Sequence, residues 1–225
     1  MNKSRKFAPL IIIAVILIGL TNIARAQDEE DDPANARTFY AGVLAGTNFA
    51  QVDGDNFAGY RRIGLNIGGI GYVQVHKHVA FSWEILYSQK GSRSDMVKAA
   101  TNDTAVLVVD YDIKLGYAEV PLMLNYFDKR KSHFGLGVSY SRLVSTVETA
   151  TTDPSINLDL TKYPFRKDNF DILAGAQLHL WKGLFLNVRF QYSLLPVRTV
   201  SPPALSRSQR QYNNLWTVRL MYLFI

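Results

Sequence analysis

The chain lacks cysteine altogether and carries only four histidines in 225 residues. Without cysteine there is no thiol nucleophile, no Cys-based zinc site and no disulfide framework. A lipid anchor on a cysteine behind an export signal is excluded for the same reason. Convincing amphipathic helices are missing throughout. The longest apolar run, Phe7–Leu20 (FAPLIIIAVILIGL), falls short of the roughly 20 residues that a spanning helix needs. Charge of one sign is also scarcer than the formal +6 suggests, because much of the excess sits at the N-terminus.

That N-terminus has a recognisable layout. Lys3, Arg5 and Lys6 precede the apolar run, and Ala24-Arg25-Ala26 follows it. A basic start, an apolar stretch of about 7–15 residues and a small-residue site describe a secretory signal peptide over residues 1–26. Its removal takes four of the 25 Lys+Arg and none of the 19 Asp+Glu, leaving 21 against 19 and a net +2. The basic balance is therefore mainly a targeting feature, and nucleic acid is not an expected partner. Residues 27–38 open with QDEEDD and carry Pro33 and no apolar period, as an acidic flexible segment does. The folded domain is expected over 39–225.

From Phe39 onward the chain is strand-like. Eight segments rich in Val, Ile, Leu, Tyr and Phe run over Phe39–Ala50, Arg62–Val75, Val79–Lys90, Ile113–Phe127, His133–Val144, Phe170–Leu180, Leu184–Leu195 and Tyr212–Phe224. They are long for globular strands, whose usual length is about 5–6 residues, and suit a tilted bilayer crossing. The links alternate in length without exception. His76–His78, Asp128–Ser132 and Trp181–Gly183 are short, whereas Gln51–Arg61, Gly91–Asp112, Ser145–Asn169 and Pro196–Gln211 are long and polar. A soluble sandwich has no reason to sort its loops so. An eight-stranded antiparallel up-and-down transmembrane β-barrel, all-β, has short periplasmic turns and long external loops.

The side-chain faces agree with that architecture. In the third segment Phe81, Trp83, Ile85 and Tyr87 alternate with Ser82, Glu84, Leu86 and Ser88, and in the seventh Leu186, Val188, Phe190 and Tyr192 alternate with Asn187, Arg189, Gln191 and Ser193. With the apolar face on lipid, the polar face points into the barrel. A luminal network of Glu84, Glu119, Asp171, Gln177, Asn187, Arg189 and Arg219 follows, with Arg189 or Arg219 as the cation for Glu84. Enclosed charges need partners, since unpaired burial is costly. Trp83, Tyr87, Tyr126, Tyr140, Trp181, Tyr192, Trp216 and Tyr222 form the expected aromatic girdle. In the fourth segment, the face parity of Ile113, Leu115 and Tyr117 against Val120 and Leu122 predicts a bulge between Tyr117 and Pro121.

The stretches AGVLAGTNFAQVDGD, SWEILYSQKGS, YAEVPLMLNYF and FGLGVSYSRLV resemble the outer-membrane β-barrel family common in Bacteroidetes. PorT-like proteins belong to that family, and the small OmpX-like eight-stranded barrels share the architecture. The resemblance runs from about Phe39 to Ile225. It implies an outer-membrane barrel of a Gram-negative cell envelope without implying one function.

The remaining motifs point away from chemistry. His76 and His78 fall in a short turn, and two ligands are too few for a zinc site. His133 and His179 sit at the same end, far from an outer leaflet that a lipid A-modifying enzyme attacks. DGDN (Asp53–Asn56) lacks the spacing of a calcium loop. The glycines of IGLNIGGIGY lie within a strand rather than before a helix, so they do not cradle a phosphate; they are expected to face inward and make room for large neighbours. No metal or cofactor is expected. External loops carry Arg61, Lys98, Lys162, Arg166, Lys167, Arg198, Arg207 and Arg210, which suit contact with anionic lipopolysaccharide. The expected function is non-enzymatic: a barrel with a side-chain-filled lumen and a structural, interaction or secretion-accessory role. Its partners are then outer-membrane lipid, lipopolysaccharide and secretion or envelope proteins. The alternatives are a narrow channel for ions or small solutes, a lipid A-modifying enzyme, and a soluble periplasmic binder of a lipophilic ligand.

Overall fold

The computed structural model describes residues 39–57, 59–95, 97–101, 105–128, 132–155 and 158–224. The expected signal peptide and acidic segment lie outside the described residues. Among the described residues nine strands appear: β1 (Phe39–Asp53), β2 (Arg62–His76), β3 (Val79–Ser94), β4 (Lys98–Ala99), β5 (Leu107–Phe127), β6 (His133–Asp153), β7 (Asp168–Trp181), β8 (Leu184–Ser193) and β9 (Tyr212–Phe224). Each long strand pairs antiparallel with its neighbours in sequence, β3 reaches past β4 to β5, and β1 pairs with β9. Registers such as Thr47↔Val218 and Phe49↔Trp216 close the ring. The two-residue β4 is a spur on β5, so the barrel has eight staves. Closure leaves no free edge within the ring.

The strands alternate as a wall with two solvents requires. Along β8, Phe185, Asn187, Arg189, Gln191 and Ser193 are buried, whereas Leu186, Val188, Phe190 and Tyr192 stay partly exposed. On β3, Phe81, Ile85 and Tyr87 are exposed while Glu84 is 1% exposed. On β6 the outward series Phe134, Leu136, Val138, Tyr140 gives way to Arg142, which marks the upper edge of the apolar band.

Several features differ from expectation. β5 begins at Leu107 and β6 runs to Asp153, so much of two expected loops is strand. The two pair to Leu107↔Asp153, a hairpin that outgrows the ring, because β6–β7 pairing ends at Arg142↔Asp168. No bulge forms within β5 between Tyr117 and Pro121. Ile113, Leu115, Tyr117, Glu119 and Met123 all face inward without a break in parity. The extra residue is instead Val144 on β6, where Gly116↔Ser145 is followed by Tyr117↔Leu143. The apparent parity break arose because the upper interior is itself apolar. Pro121 acts on the other side: Trp83↔Leu122 and Leu86↔Glu119 leave Glu84 and Ile85 without β5 partners, as a residue lacking N–H requires.

The interior is filled in layers. Nearest the short turns, Leu44, Ile70, Tyr72, Leu86, Phe185 and Met221 form an apolar plug, with His133 stacked on Phe127 at 4.1 Å. Toward the long loops a second apolar cluster holds Phe57, Val108, Tyr111, Ile113, Leu115 and Leu205. Only two of the glycines in β2's IGLNIGGIGY, Gly64 and Gly68, share the inward parity of Asn66; Gly69 and Gly71 face outward. On β1, Gly46 stands opposite Arg219, and a Cβ there would meet the Val218 carbonyl oxygen at 2.1 Å. The wall is bare at that point so that a guanidinium fits inside it.

Candidate functional site in the lumen and at the rim

Between the apolar layers lie two ionic clusters. In the first, Glu84 on β3 accepts from Arg189 on β8 and Arg219 on β9. Arg189 Nη1 donates to Oε2 at 3.0 Å and its Nη2 to Oε1. Arg219 Nη1 donates to Oε2 at 2.9 Å and Nη2 to Oε1 at 3.2 Å. Arg219 also donates to Asn187 Oδ1 at 2.9 Å and Asn66 Oδ1 at 3.1 Å. The bidentate geometry suits a guanidinium better than an amine.

In the second cluster Lys90 Nζ stands 3.0 Å from Glu119 and 2.8 Å from Asp171, with all three side chains fully buried. Gln191 donates to Glu119 at 2.7 Å and to Asp171 at 2.6 Å. Ser139 donates to Glu119 at 2.7 Å, and Ser193 and Asn169 donate to Asp171 at 2.8 and 2.6 Å. One triad carries a net positive charge and the other a net negative one, so the lumen is neutral as a whole. Its contents are ion-paired and hydrogen-bonded side chains, as a barrel of about eight strands permits.

The sequence-predicted residues therefore divide. Glu84, Asn187, Arg189 and Arg219 come together. Glu119 and Asp171 also meet, around a lysine that sequence reasoning left at a strand end. Lys90 has the parity of Glu84 and Ser88, and following that alternation two steps further finds it. Gln177 is buried but joins neither cluster; it lies level with His133, its register partner.

Of the girdle residues, Tyr126, Trp181 and Tyr222 are outward toward the short turns, and Tyr87, Tyr140, Tyr192 and Trp216 toward the long loops. Trp83 is the exception. It pairs with Leu122, four residues above the Val79↔Tyr126 level, and its indole lies over Gly71 within the apolar band. The missing side chain of Gly71 makes a flat seat there.

Three of the four histidines have polar partners. His133 is 4% exposed, with Nε2 3.0 Å from the Tyr72 hydroxyl. His78 Nδ1 is 3.2 Å from the Phe127 carbonyl and His179 Nε2 2.6 Å from that of Lys182. The His76 and His78 rings are 6.5 Å apart.

At the long-loop mouth, the segment between β8 and β9 folds inward as a cap. Leu205 and Val197 are fully buried, and the Leu205 carbonyl accepts from Asn56 N at 3.1 Å while that of Ala204 accepts from Thr101 N at 3.0 Å. Arg198, expected on a solvated loop, is 1% exposed. It pairs with Glu148, donating from Nη1 at 2.9 Å and from Nη2, and its guanidinium lies 3.7 Å over the Phe165 ring. Val197, Ala204 and Leu205 sit among the polar and proline residues of the link as scattered apolar positions, which is the signal for an inward cap. Asp55, also at this end, accepts from Phe57 N at 2.8 Å and has its carboxyl pushed up to about 6, chiefly by burial.

The outer membrane protein beta-barrel domain pattern matches residues 25–198 of the chain. No curated protein sequence matches it. Among solved structures, Ail, the attachment invasion locus protein of Yersinia pestis, is similar at 10% identity and a TM-score of 0.46, over 84% of this chain and 100% of that one. Neisserial surface protein A is similar at 11% identity and 0.44, over 84% and 99%. The outer membrane protein AlkL is similar at 16% and 0.34, over 87% and 96%.

Proposed function

Because the chain belongs to the outer membrane β-barrel domain family, we propose that it is a non-enzymatic integral barrel with a plugged lumen. On this reading it acts through its external surface, in an envelope-structural, interaction or secretion-accessory role. We further place it in the PorT-like branch common in Bacteroidetes, on the strength of the SWEILYSQKGS and YAEVPLMLNYF stretches. The observation that carries the reading is the filled interior: an aromatic plug, two compensated ionic triads and a folded cap lie in series. A charge buried in such a column is held by its partners and offers no continuous path to an ion. Outer-membrane lipid and lipopolysaccharide are the partners this placement supplies, with secretion or envelope proteins at the rim. Against lipid A-modifying catalysis stands the placement of all four histidines toward the short turns, away from the outer leaflet.

Reconstitution of the full chain in a planar bilayer tests the plug. The expected record is silent. Stepwise conductance that changes when Glu84 or Arg189 is neutralised would establish a channel instead. Affinity purification from detergent-solubilised outer membrane tests the accessory role, which recovery of secretion components supports and their absence counts against.

A further inference from the structure

We infer that a cleft between β6 and the β6–β7 link binds an acidic saccharide, the phosphorylated headgroup of an outer-leaflet glycolipid. The inference rests on the reading above in placing the long loops outside the cell. It starts from where the two strands separate. Their pairing ends at Arg142↔Asp168, and the last link is Leu143 N to the Lys167 carbonyl at 2.7 Å. Above it β6 runs on to Asp153 without β7, and the two segments flank an open groove of about 460 Å³. That volume lies in the usual range of small-molecule sites, roughly 300–1,000 Å³.

The level of the cleft selects the source of its occupant. Phe134, Leu136, Val138 and Tyr140 face outward below it, and the Arg142–Asp168 ion pair at 2.6 Å closes that apolar band. The cleft opens directly above, in the first layer beyond the hydrocarbon, where glycolipid headgroups lie.

The lining selects the chemistry. Phe165 and Leu160 offer apolar surface to the C–H face of a sugar ring, while Ser145 and Tyr163 offer hydroxyls. The Arg198–Glu148 pair at the floor combines donors and an acceptor, the complement of neighbouring sugar hydroxyls. Arg198 is itself 1% exposed, and its Nε is buried without a partner. Lys167, on the lining, is exposed and makes no ion pair among the described residues. Two cations against one carboxylate give the cleft a positive balance, which favours an acidic sugar over a neutral one. An acyl chain would strand these polar groups in contact with hydrocarbon.

The experiment is calorimetric titration of the full chain in phosphatidylcholine nanodiscs. Deacylated lipopolysaccharide, the same material after phosphatase treatment, and maltohexaose are the soluble probes; nanodiscs containing intact lipopolysaccharide form the membrane arm. Tight binding of the phosphorylated probe, at least tenfold weaker binding after phosphatase, and no binding of maltohexaose are expected. Lys167→Glu and Tyr163→Phe remove a lining cation and a lining hydroxyl and should each weaken binding several-fold or more, whereas Arg93→Glu, at the exposed end of β3, should not. Equal binding by all four proteins, or none by the wild type, overturns the assignment. Binding of the soluble probe without engagement of intact lipopolysaccharide moves the source to a free glycan and overturns the glycolipid. Heat-modified gel migration and outer-membrane fractionation run alongside. Their loss in the wild type sinks the membrane placement itself, while their retention without binding sinks only the cleft.

Discussion

Glutamate 84 is the sharpest place to perturb the barrel, because one carboxylate there serves two guanidiniums. Arg189 and Arg219 reach it at 3.0 and 2.9 Å through their Nη1 atoms, and each side chain is about 1% exposed. At an effective dielectric near 20, opposite charges about 4 Å apart attract by roughly 4 kcal/mol gross, most of which offsets desolvation. Glu84→Gln removes the shared charge and leaves two cations buried together. The expected loss is about 3–5 kcal/mol, the usual cost of stranding a buried charge. Arg219→Met removes one cation and leaves Glu84 bidentate to Arg189. Its cost is the lost bonds to Asn187 and Asn66 and its own share of those to Glu84, which Arg189 still compensates, about 1–3 kcal/mol. The double variant restores one net positive charge to the cluster, so its loss should be smaller than the sum of the two. Urea titration in detergent micelles, read by heat-modified migration, measures all three. If Glu84→Gln costs no more than Arg219→Met, charge compensation is not what holds this layer.

Other parts of the molecule make separate commitments. Burial raises the Asp55 carboxyl to about 6 against 3.8 for the ordinary group, so its contribution to stability is fully present below pH 3.8 and lost as the pH rises through 6. That difference is on the order of 3 kcal/mol. Protection factors of the cap amides, corrected for the intrinsic pH dependence of exchange, should therefore rise from pH 8 to pH 5, and Asp55→Asn should flatten the trend; an unchanged trend in the variant would falsify the role of this group. Gly46→Val places a side chain against the Val218 carbonyl and the Arg219 backbone and should cost about 3 kcal/mol, seen as loss of the heat-modifiable form; wild-type migration would show that the wall yields. Lys182 holds φ at 46° in the β7–β8 turn, where a side chain costs roughly 1–2 kcal/mol. Lys182→Gly should raise the urea midpoint slightly, reduced by the lost contact of its ammonium with the Trp181 ring at 4.6 Å, and a lowered midpoint would show that contact to dominate.

Where a single physical rule governs a strand, its sequence is easy to read. Leu184–Ser193 alternates cleanly because one face meets lipid and the other a polar lumen. The rule weakens where the interior changes character. Ile113, Leu115 and Tyr117 face an apolar layer, so their strand loses its polar face and mimics a bulge. The hairpin extension beyond the ring escaped notice for a related reason: Ser145–Asp153 has water on most sides and carries no apolar period, only threonine and valine that favour extended backbone. Glu84 announced that it needed a cation, and parity offered two arginines. Which carboxylate Lys90 would serve depended on stagger around the ring, which no single strand encodes. Arg198 looked like a loop charge because the scattered apolar residues beside it signal an inward turn of the link, but not that Arg198 would meet Glu148 and Phe165.

Each ionic triad draws on three strands. Glu84 meets arginines 105 and 135 residues later in the chain, and Lys90 meets Asp171 81 residues later. No hairpin contains a complete triad. A partly assembled sheet thus carries naked charges on the face that will become the interior, and hydrocarbon cannot accept them. Until the last seam joins, that face has to stay wetted or chaperoned. Closure then brings the β8 and β9 arginines to Glu84 on β3 and completes the first triad in one event. The lumen behaves as a latch that rewards only the finished cylinder, giving the chain an electrostatic reason to insert as a whole rather than strand by strand.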